Sequence, residues 1–278
     1  MPGNGDLAQV ADLIRDVAAA ELLPRFGNLS KDDVRQKRPG DLVTVADVAS
    51  EQQLAAGLGK ILPGVPVVGE EAVDADAGLL DLIGRPGERC WIVDPLDGTS
   101  NFAAGKATFA IIVALVEDGR TIGGWILDVP NGRMAVALAG QGVTLDGAAV
   151  VGAPSVGSPS GFVGYRIRKA FERQLPAARQ RGVGPVSTLR CAGVEYLEIL
   201  AGRAIFSIYR RTKPWDHAAG ALMLAEAGGG AVRFDGDDYT PAQPDDSGII
   251  GAASRQGLAE VRAAFEALEL PLLQSTED

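Results

Sequence analysis

Imidazole and thiol are almost missing from this chain: among 278 residues there are one histidine, His217, and two cysteines, Cys90 and Cys191. A His-rich zinc site and any mechanism that needs two imidazoles are therefore excluded. A Ser-His-Asp triad needs only one imidazole, but no GxSxG elbow is present. His217 directly follows Trp215-Asp216 at an expected helix start, which suits a structural or supporting role better. The cysteines are too few for a disulfide framework and lack a CxxC partner, so both read as small buried hydrophobes.

Positive charge is also short. The chain has 26 Lys and Arg against 36 Asp and Glu, a formal net charge of -10. A duplex-binding surface needs clustered cations to replace phosphate counterions, so no nucleic acid polymer is expected as a partner. Long apolar runs are missing too. The best one, ATFAIIVALV, is too short to span a bilayer and ends at Glu117-Asp118. The N-terminal stretch MPGNGDLAQVADLIRDVAAAELL has acids throughout and neither the basic region nor the unbroken apolar core of a secretory signal. No membrane association is expected, and cytoplasmic residence is the default.

What is present is 46% hydrophobic residues, enough to bury a sizeable core. The pattern is α/β with an antiparallel insert. Leu7, Val10, Ile14, Val17, Ala18 and Leu22 recur at helical spacing, with Gly27 as a stop. Thr44-Val45-Ala46-Asp47 has the form of a capping box, so a second helix is expected to begin near Thr44. VPVVGE reads as a strand ending at Glu70 and Glu71, and a short helix at Leu79–Ile83 precedes the strand CWIVD. From Thr108 to Val150, apolar runs separated by EDGR, VPNGR and LDG predict an antiparallel meander. After GAPSVGSPSG, strands and helices alternate: GFVGY, a helix split at Pro176, VGPVSTL, a helix at Glu195–Leu200, AIFSIY, and a helix through AAGALMLAEAGG. Two subdomains are expected, 1–152 and 153–278.

Glu70, Glu71, Asp94 and Asp97 each follow a β-rich run, where side chains from different strands converge on one crevice. A calcium EF-hand loop over Asp94–Gly105 fails at Thr99, where the loop needs glycine, and at Gly105, where it needs a bidentate Glu. An Asx turn explains Asp94 or Asp97 alone but not all four acids. Hard oxygen ligands without thiolate or imidazole favour Mg²⁺ over zinc, and Mg²⁺ leaves positions for water and phosphate oxygens. The backbone at Asp97-Gly98-Thr99 adds N–H groups for an anion. Together these point to metal-assisted chemistry on a phosphate.

The motifs Asp41-Leu42-Val43-Thr44 with Asp47, Gly69-Glu70-Glu71, Asp94-Pro95-Leu96-Asp97-Gly98-Thr99-Ser100-Asn101-Phe102, and Trp215-Asp216 before Ala218-Ala219-Gly220 resemble those of the inositol monophosphatases, lithium-sensitive and fructose-bisphosphatase-like phosphatases. All occur in order, and the resemblance runs from the first helix to about Ser254. It implies a layered αβαβα fold and a mechanism without a phospho-enzyme. It further implies two to three Mg²⁺ ions: one at Glu70, Asp94 and the Leu96 carbonyl, a second at Asp94, Asp97 and Asp216, and a weaker third at Glu70. By the same resemblance Glu71 supports the water network, Thr99 with Asp47 orients and deprotonates the attacking water, and Gly98 with Thr99 holds phosphate. From local sequence alone Asp47 is equally placed to cap its helix, and Asp216 to stabilise a helix N-terminus. Lys37 resembles a basic residue near the third ion, but in KDDVRQKRPG it also reads as solvated surface.

Departures from the family pattern fall where substrate is read. The usual Gly-Ser-Ala-Ala is Gly193-Val194-Glu195-Tyr196 here, and Tyr209 aligns with an acid that binds inositol hydroxyls. The expected substrate-contacting set is Asp97, Gly193, Glu195, Tyr209, Arg210 and Arg211. The expected activity is a Mg²⁺-dependent phosphomonoesterase acting on a small soluble ester, inositol monophosphate or another sugar or polyol phosphate, with a homodimer as the assembly. Fructose 1,6-bisphosphate, histidinol phosphate and adenosine 3′,5′-bisphosphate are the alternative substrates. A non-catalytic metal- or phosphate-binding regulator is the alternative outside enzymes.

Overall fold

The computed structural model of the protein describes residues 4–152, 160–165, 167–168, 184–242 and 248–266. In chain order these form α1 (Asn4–Val17), the hairpin β1 (Val34–Arg38) and β2 (Asp41–Thr44), α2 (Val45–Ile61), β3 (Val67–Gly69) and α3 (Glu70–Ala75). There follow β4 (Arg89–Asp97), α4 (Thr99–Ala103), and a meander of β5 (Ala110–Glu117), β6 (Arg120–Asp128), β7 (Arg133–Leu138), β8 (Gly142–Leu145) and β9 (Ala148–Val150). The remainder comprises β10 (Gly161–Val163), β11 (Val186–Ser187), α5 (Ala192–Leu200), β12 (Phe206–Tyr209), α6 (Pro214–Glu226), β13 (Gly230–Arg233), β14 (Ile249–Ala252) and α7 (Arg255–Glu266).

The central strands dictate the layering. In β5, Ile112, Ala114 and Val116 enter one core while Ile111, Val113 and Leu115 enter another, because successive strand residues point to opposite faces. A sheet apolar on both sides needs a helical layer on each. β3 to β9 form one seven-stranded sheet in sequence order, parallel only at β3–β4 and antiparallel from there on. Val10 and Ile14 of α1 and Leu54 and Leu58 of α2 cover one face, against Trp91, Val93 and Trp125. The other face packs on α5 and α6, through Val194, Leu197, Ala218 and Met223. Beyond them lies a five-stranded sheet, order β11-β10-β12-β14-β13, and Val261 of α7 closes its far side against Phe206 and Ile208. The result is the αβαβα sandwich that the motifs implied.

Most local expectations hold. α1 runs to Val17 and continues as a π-helical turn over Ala18–Leu22. Thr44 caps α2 in a capping box with Asp47. Glu70 and Glu71 open α3 instead of ending a strand, and the short helix expected at Leu79–Ile83 is a 3₁₀ segment, Ala77–Leu82. The helix expected to split at Pro176 lies outside the described residues. The two sheets share one core, in which Ile92 of the larger and Phe162 of the smaller meet through α5 and α6. No helix among the described residues is long and apolar enough to cross a membrane.

The Ala218-Ala219-Gly220 run has a packing reason. α6 lies against the larger sheet and beside α5, and a β-carbon at Gly220 would enter the fully buried Tyr196 ring. Gly220→Ala should therefore destabilise the fold by about 1–3 kcal/mol, the usual cost of overpacking. The cost should shrink in a Tyr196→Ala background, where the ring is gone. Urea denaturation of the four proteins of this cycle measures the coupling; equal costs in both backgrounds would contradict the packing account.

Candidate active site

Strand parity and one bulge bring the acids of β4 together. Cys90 and Ile92 point into the α5/α6 core, so Asp94, two residues further, points the same way. Parity alone would send Asp97 to the opposite face. Asp94 lies opposite Ile112 and Asp97 opposite Ala110, a step of three residues against two. That bulge resets the alternation, and because Ile112 and Ala110 share the α5/α6 core, both carboxylates face it while Leu96 turns to the other side. Gly98 then reverses the chain into α4 with φ 88, and a β-carbon there would sit 2.9 Å from the Thr108 carbonyl. Any other residue would be strained and crowded at this position.

Each acid is held by its own partners. Asp94 Oδ1 accepts from the Leu96 N–H at 3.0 Å. Asp97 Oδ2 accepts from the Gly193 N–H at 2.6 Å and from the Cys191 thiol at 3.2 Å, at the N-terminus of α5, where the helix dipole favours an anion. Cys191 is buried as expected, but its thiol serves Asp97. Gly193, expected to contact substrate, uses its N–H on the same carboxylate. Glu70 and Glu71 occupy the first turn of α3, whose N-terminus is capped by Glu51; that carboxylate accepts from the N–H groups of Glu71 at 2.8 Å and Ala72 at 2.9 Å. Asp216 lies in the first turn of α6, behind Pro214 at the opening position.

Lys37 overturns its reading as solvated surface. Its side chain is only 9% exposed, and Nζ lies 2.9 Å from Glu71 Oε1 and 3.5 Å from Glu70 Oε1. Burial works to discharge this ammonium, but the two glutamates override it and raise its pKa. Even so, the acids crowd one another. Burial and then the charge of Asp216 push Glu70 up to about 8, against the pull of Lys37. Burial and then Glu70, Asp97 and Asp216 raise Asp94 well above the carboxylate range. Burial also raises Asp97, opposed chiefly by the Gly193 N–H.

Asp47 does two things at once. Its Oδ2 accepts from the Thr44 N–H at 2.8 Å and the Thr44 hydroxyl at 2.5 Å, which caps α2. Its Oδ1 faces the Thr99 hydroxyl at 3.0 Å, and that hydroxyl also lies 2.9 Å from the Leu96 carbonyl. Burial raises the Asp47 pKa to about 6.

Glu70, Asp97, Gly98, Thr99 and Asp216 line a cleft of about 640 Å³ together with Glu195, Tyr209, Arg210, Arg211 and His217. Both oxygens of Glu195 are engaged within the protein: Oε1 accepts from the Leu189 N–H at 2.6 Å and the Thr188 hydroxyl at 3.0 Å, and Oε2 from the Tyr209 hydroxyl. Burial raises its pKa to about 7. His217 is a buried neutral imidazole with its pKa lowered to about 4, chiefly by burial. Its Nε2–H donates to the Arg211 carbonyl at 3.0 Å, so Nδ1 accepts from the Tyr196 hydroxyl, also at 3.0 Å. The supporting role expected for it holds: it pins the Arg210–Lys213 segment ahead of Asp216. Arg190 and Tyr165, which no motif marked, also line the cleft.

The donor chemistry fits hard divalent cations, since the carboxylates of Glu70, Asp97 and Asp216 line one cleft, and burial together with neighbouring carboxylates raises the pKa values of Glu70 and Asp94. As the side chains stand, no three His, Cys, Asp or Glu residues among the described ones form a group able to hold an ion. Lys37 holds Glu70 and Glu71 from the β1 side.

A model of the inositol monophosphatase family matches residues 6–269. The inositol-1-monophosphatase SuhB of Mycobacterium tuberculosis (strain ATCC 25618 / H37Rv) is 30% identical over 240 residues, covering 82% of this chain and 79% of that protein. The solved Thermotoga maritima IMPase superposes with a TM-score of 0.75 at 24% identity, over 93% of this chain and 97% of that one. An IMPase/NADP phosphatase solved in complex with Mg²⁺ and phosphate gives a TM-score of 0.74 at 20% identity, over 92% of this chain and 96% of that one. These two likenesses establish the fold.

The raised pKa values make a stability prediction. In the folded, metal-free protein Glu70 and Asp94 hold protons that the unfolded chain releases near its ordinary carboxylate pKa. Their contribution is therefore complete below about pH 4 and is lost as pH rises through the folded value of about 8 for Glu70. Melting in chelator should fall in temperature between pH 6 and pH 9 for the wild type, and fall less for Asp94→Asn. Parallel profiles for the two proteins would contradict the coupling.

Proposed function

The chain belongs to the inositol monophosphatase family and is a hydrolase of phosphoric monoesters, and we propose that it works with Mg²⁺ on a small soluble ester of the sugar or polyol class. The observation that supports this is the convergence of Glu70, Asp97 and Asp216 on one cleft, with buried Asp94 feeling the charge of all three and Thr99, at the cleft wall, bonded to Asp47. In this reading Glu70, Asp94, the Leu96 carbonyl, Asp97 and Asp216 would hold two to three ions. Bound cations supply Lewis-acid stabilisation of phosphoryl charge and a more acidic water. Glu71, held by Lys37, supports the water network.

The chain's own contribution is a directed proton acceptor. Thr99 has one hydroxyl proton, and the Leu96 carbonyl at 2.9 Å competes for it with Asp47 Oδ1 at 3.0 Å. Engaging the Leu96 carbonyl elsewhere leaves Asp47 as the acceptor. Thr99 then offers a lone pair to the attacking water and passes the water's proton toward Asp47, whose pKa of about 6 suits it to receive one near neutrality. The water oxygen bonds to phosphorus as the ester P–O bond breaks, and the departing alkoxide takes a proton from solvent water. Gly98 and Thr99 border the phosphate position, and Arg210 and Arg211 the leaving group. Inositol monophosphate and its polyol analogues are the first substrates to test, with fructose 1,6-bisphosphate, histidinol phosphate and adenosine 3′,5′-bisphosphate beside them. The homodimer and the cytoplasmic residence expected from the sequence belong to the same proposal; sedimentation checks the first and fractionation the second.

Asp94→Asn should abolish Mg²⁺-dependent phosphate release while leaving the melting temperature at neutral pH unchanged or higher, because it removes a charge from a repelling cluster. Thr99→Ala and Asp47→Asn should each lower kcat by roughly 10²–10⁴, with metal affinity changed much less. Phosphate-release kinetics and thermal melting read both effects. Undiminished turnover in Asp94→Asn would overturn the proposal, and unchanged kcat in Asp47→Asn would leave that residue as a helix cap only.

A further inference from the structure

One face of α2 breaks its own pattern. Leu54 and Leu58 lie fully buried on the core side of this helix. Followed back at helical spacing, the same stripe passes through positions 51 and 47, where the buried residues are Glu51 and Asp47. A polar residue at a core position marks a place where folding yields to function. Asp47 has its reason in Thr44 and Thr99. Glu51 has another: Oε2 accepts from the Glu71 N–H at 2.8 Å, and Oε1 from the Ala72 N–H at 2.9 Å. Burial works against charge on this carboxylate, and those two N–H groups work for it. The chain also keeps room for it. Gly69 has φ -94, which any residue adopts, but a β-carbon there would lie 2.3 Å from the Glu51 carboxyl carbon. The glycine of Gly69-Glu70-Glu71 is therefore explained by space and not by backbone freedom.

An acid is a costly choice at this place, since the charge of Glu71 acts against it. A neutral side-chain oxygen suffices to cap a helix. What a carboxylate adds is two acceptors in one plane, which fix two successive N–H groups and so the direction of the first turn of α3. With six residues, α3 is too short to hold a direction by itself. Its acids are aimed from outside: Glu51 holds the backbone at Glu71, and Lys37 holds the carboxylates of Glu70 and Glu71. Glu51 also stands one turn beyond Asp47, about 6 Å along a rigid helix. α2 thus carries the partner of Thr99 and the support of the α3 acids at a fixed separation.

We propose that Glu51 is a positioning residue for the reaction: through the N–H groups of Glu71 and Ala72 it sets Glu70 and Glu71 in register with the Asp47–Thr99 pair, so that a divalent cation finds Glu70 already in place. This rests on the reading of Glu70 as a cation ligand.

Calorimetric titration with Mg²⁺ alone, set beside phosphate release and thermal melting, tests it. Glu51→Ala should weaken Mg²⁺ binding roughly 10- to 100-fold, the usual loss when a residue supporting a metal ligand is removed. At saturating Mg²⁺ its kcat should fall much less, because Asp47 and Thr99 are untouched. Glu51→Gln keeps one acceptor oxygen and no charge, so it should recover part of the affinity. Binding as weak as in Glu51→Ala would mean that Glu51 acts by charge alone, and would overturn the positioning role. Gly69→Ala, which pushes the carboxylate off the two N–H groups, should weaken Mg²⁺ binding in the wild-type background but not in Glu51→Ala. Should Glu51→Ala not fold, the same titration of Glu51→Gln and Gly69→Ala decides. A lower melting temperature with unchanged Mg²⁺ affinity in these variants makes Glu51 a structural cap and overturns the proposal alone. Absence of Mg²⁺ binding by the wild type would bring down the reading of Glu70, and the proposal with it.

Discussion

Like charges held together by a backbone that cannot yield are the constraint on which the rest of this molecule depends. Asp94 and Asp97 share a face because a bulge in β4 cancels the alternation that would separate them. Neither can swing away: Asp94 is anchored to the Leu96 N–H, and Asp97 to the first turn of α5. Glu70 and Asp216 arrive on other helices and add their fields. Without countercharge the protein answers with protons and with Lys37.

The five layers are the means of enforcing that arrangement. The larger sheet supplies Asp94 and Asp97, and α6 can bring Asp216 down on them only because small residues, Ala218, Ala219 and Gly220, let it lie close between the sheet and Tyr196. The hairpin β1–β2 carries Lys37 over Glu70 and Glu71 and leads into the Thr44 cap of α2, so one turn of chain delivers both a countercharge and the Asp47 carboxylate. Stability and chemistry thus meet in the same residues. Asp47 closes a helix with one oxygen and faces Thr99 with the other.

What could be read in advance was whatever is local. The Thr44–Asp47 capping box, the hairpin turns of the meander and the Asp94–Phe102 run are short-range patterns whose geometry follows from a few neighbouring residues. The roles of Glu51, Lys37 and Asn101 could not be read locally, because their partners lie 20, 34 and 88 residues away and meet them only after folding. The solvated-surface reading of Lys37 failed for a physical reason: its neighbours in sequence are polar, and nothing local reveals that its side chain lies over two glutamates. Cys191 looked inert for the same reason, since Asp97 reaches its thiol from the end of β4.

If uncompensated charge is the central fact of the site, binding of cations must expel the protons that stand in for them. Calorimetric titration of Mg²⁺ near neutral pH, repeated in buffers of different ionisation enthalpy, measures that release directly. The account predicts a binding heat that depends on the buffer, reporting protons leaving Glu70 and Asp94, and a smaller dependence in Asp94→Asn. Mg²⁺ binding with the same heat in every buffer would contradict it.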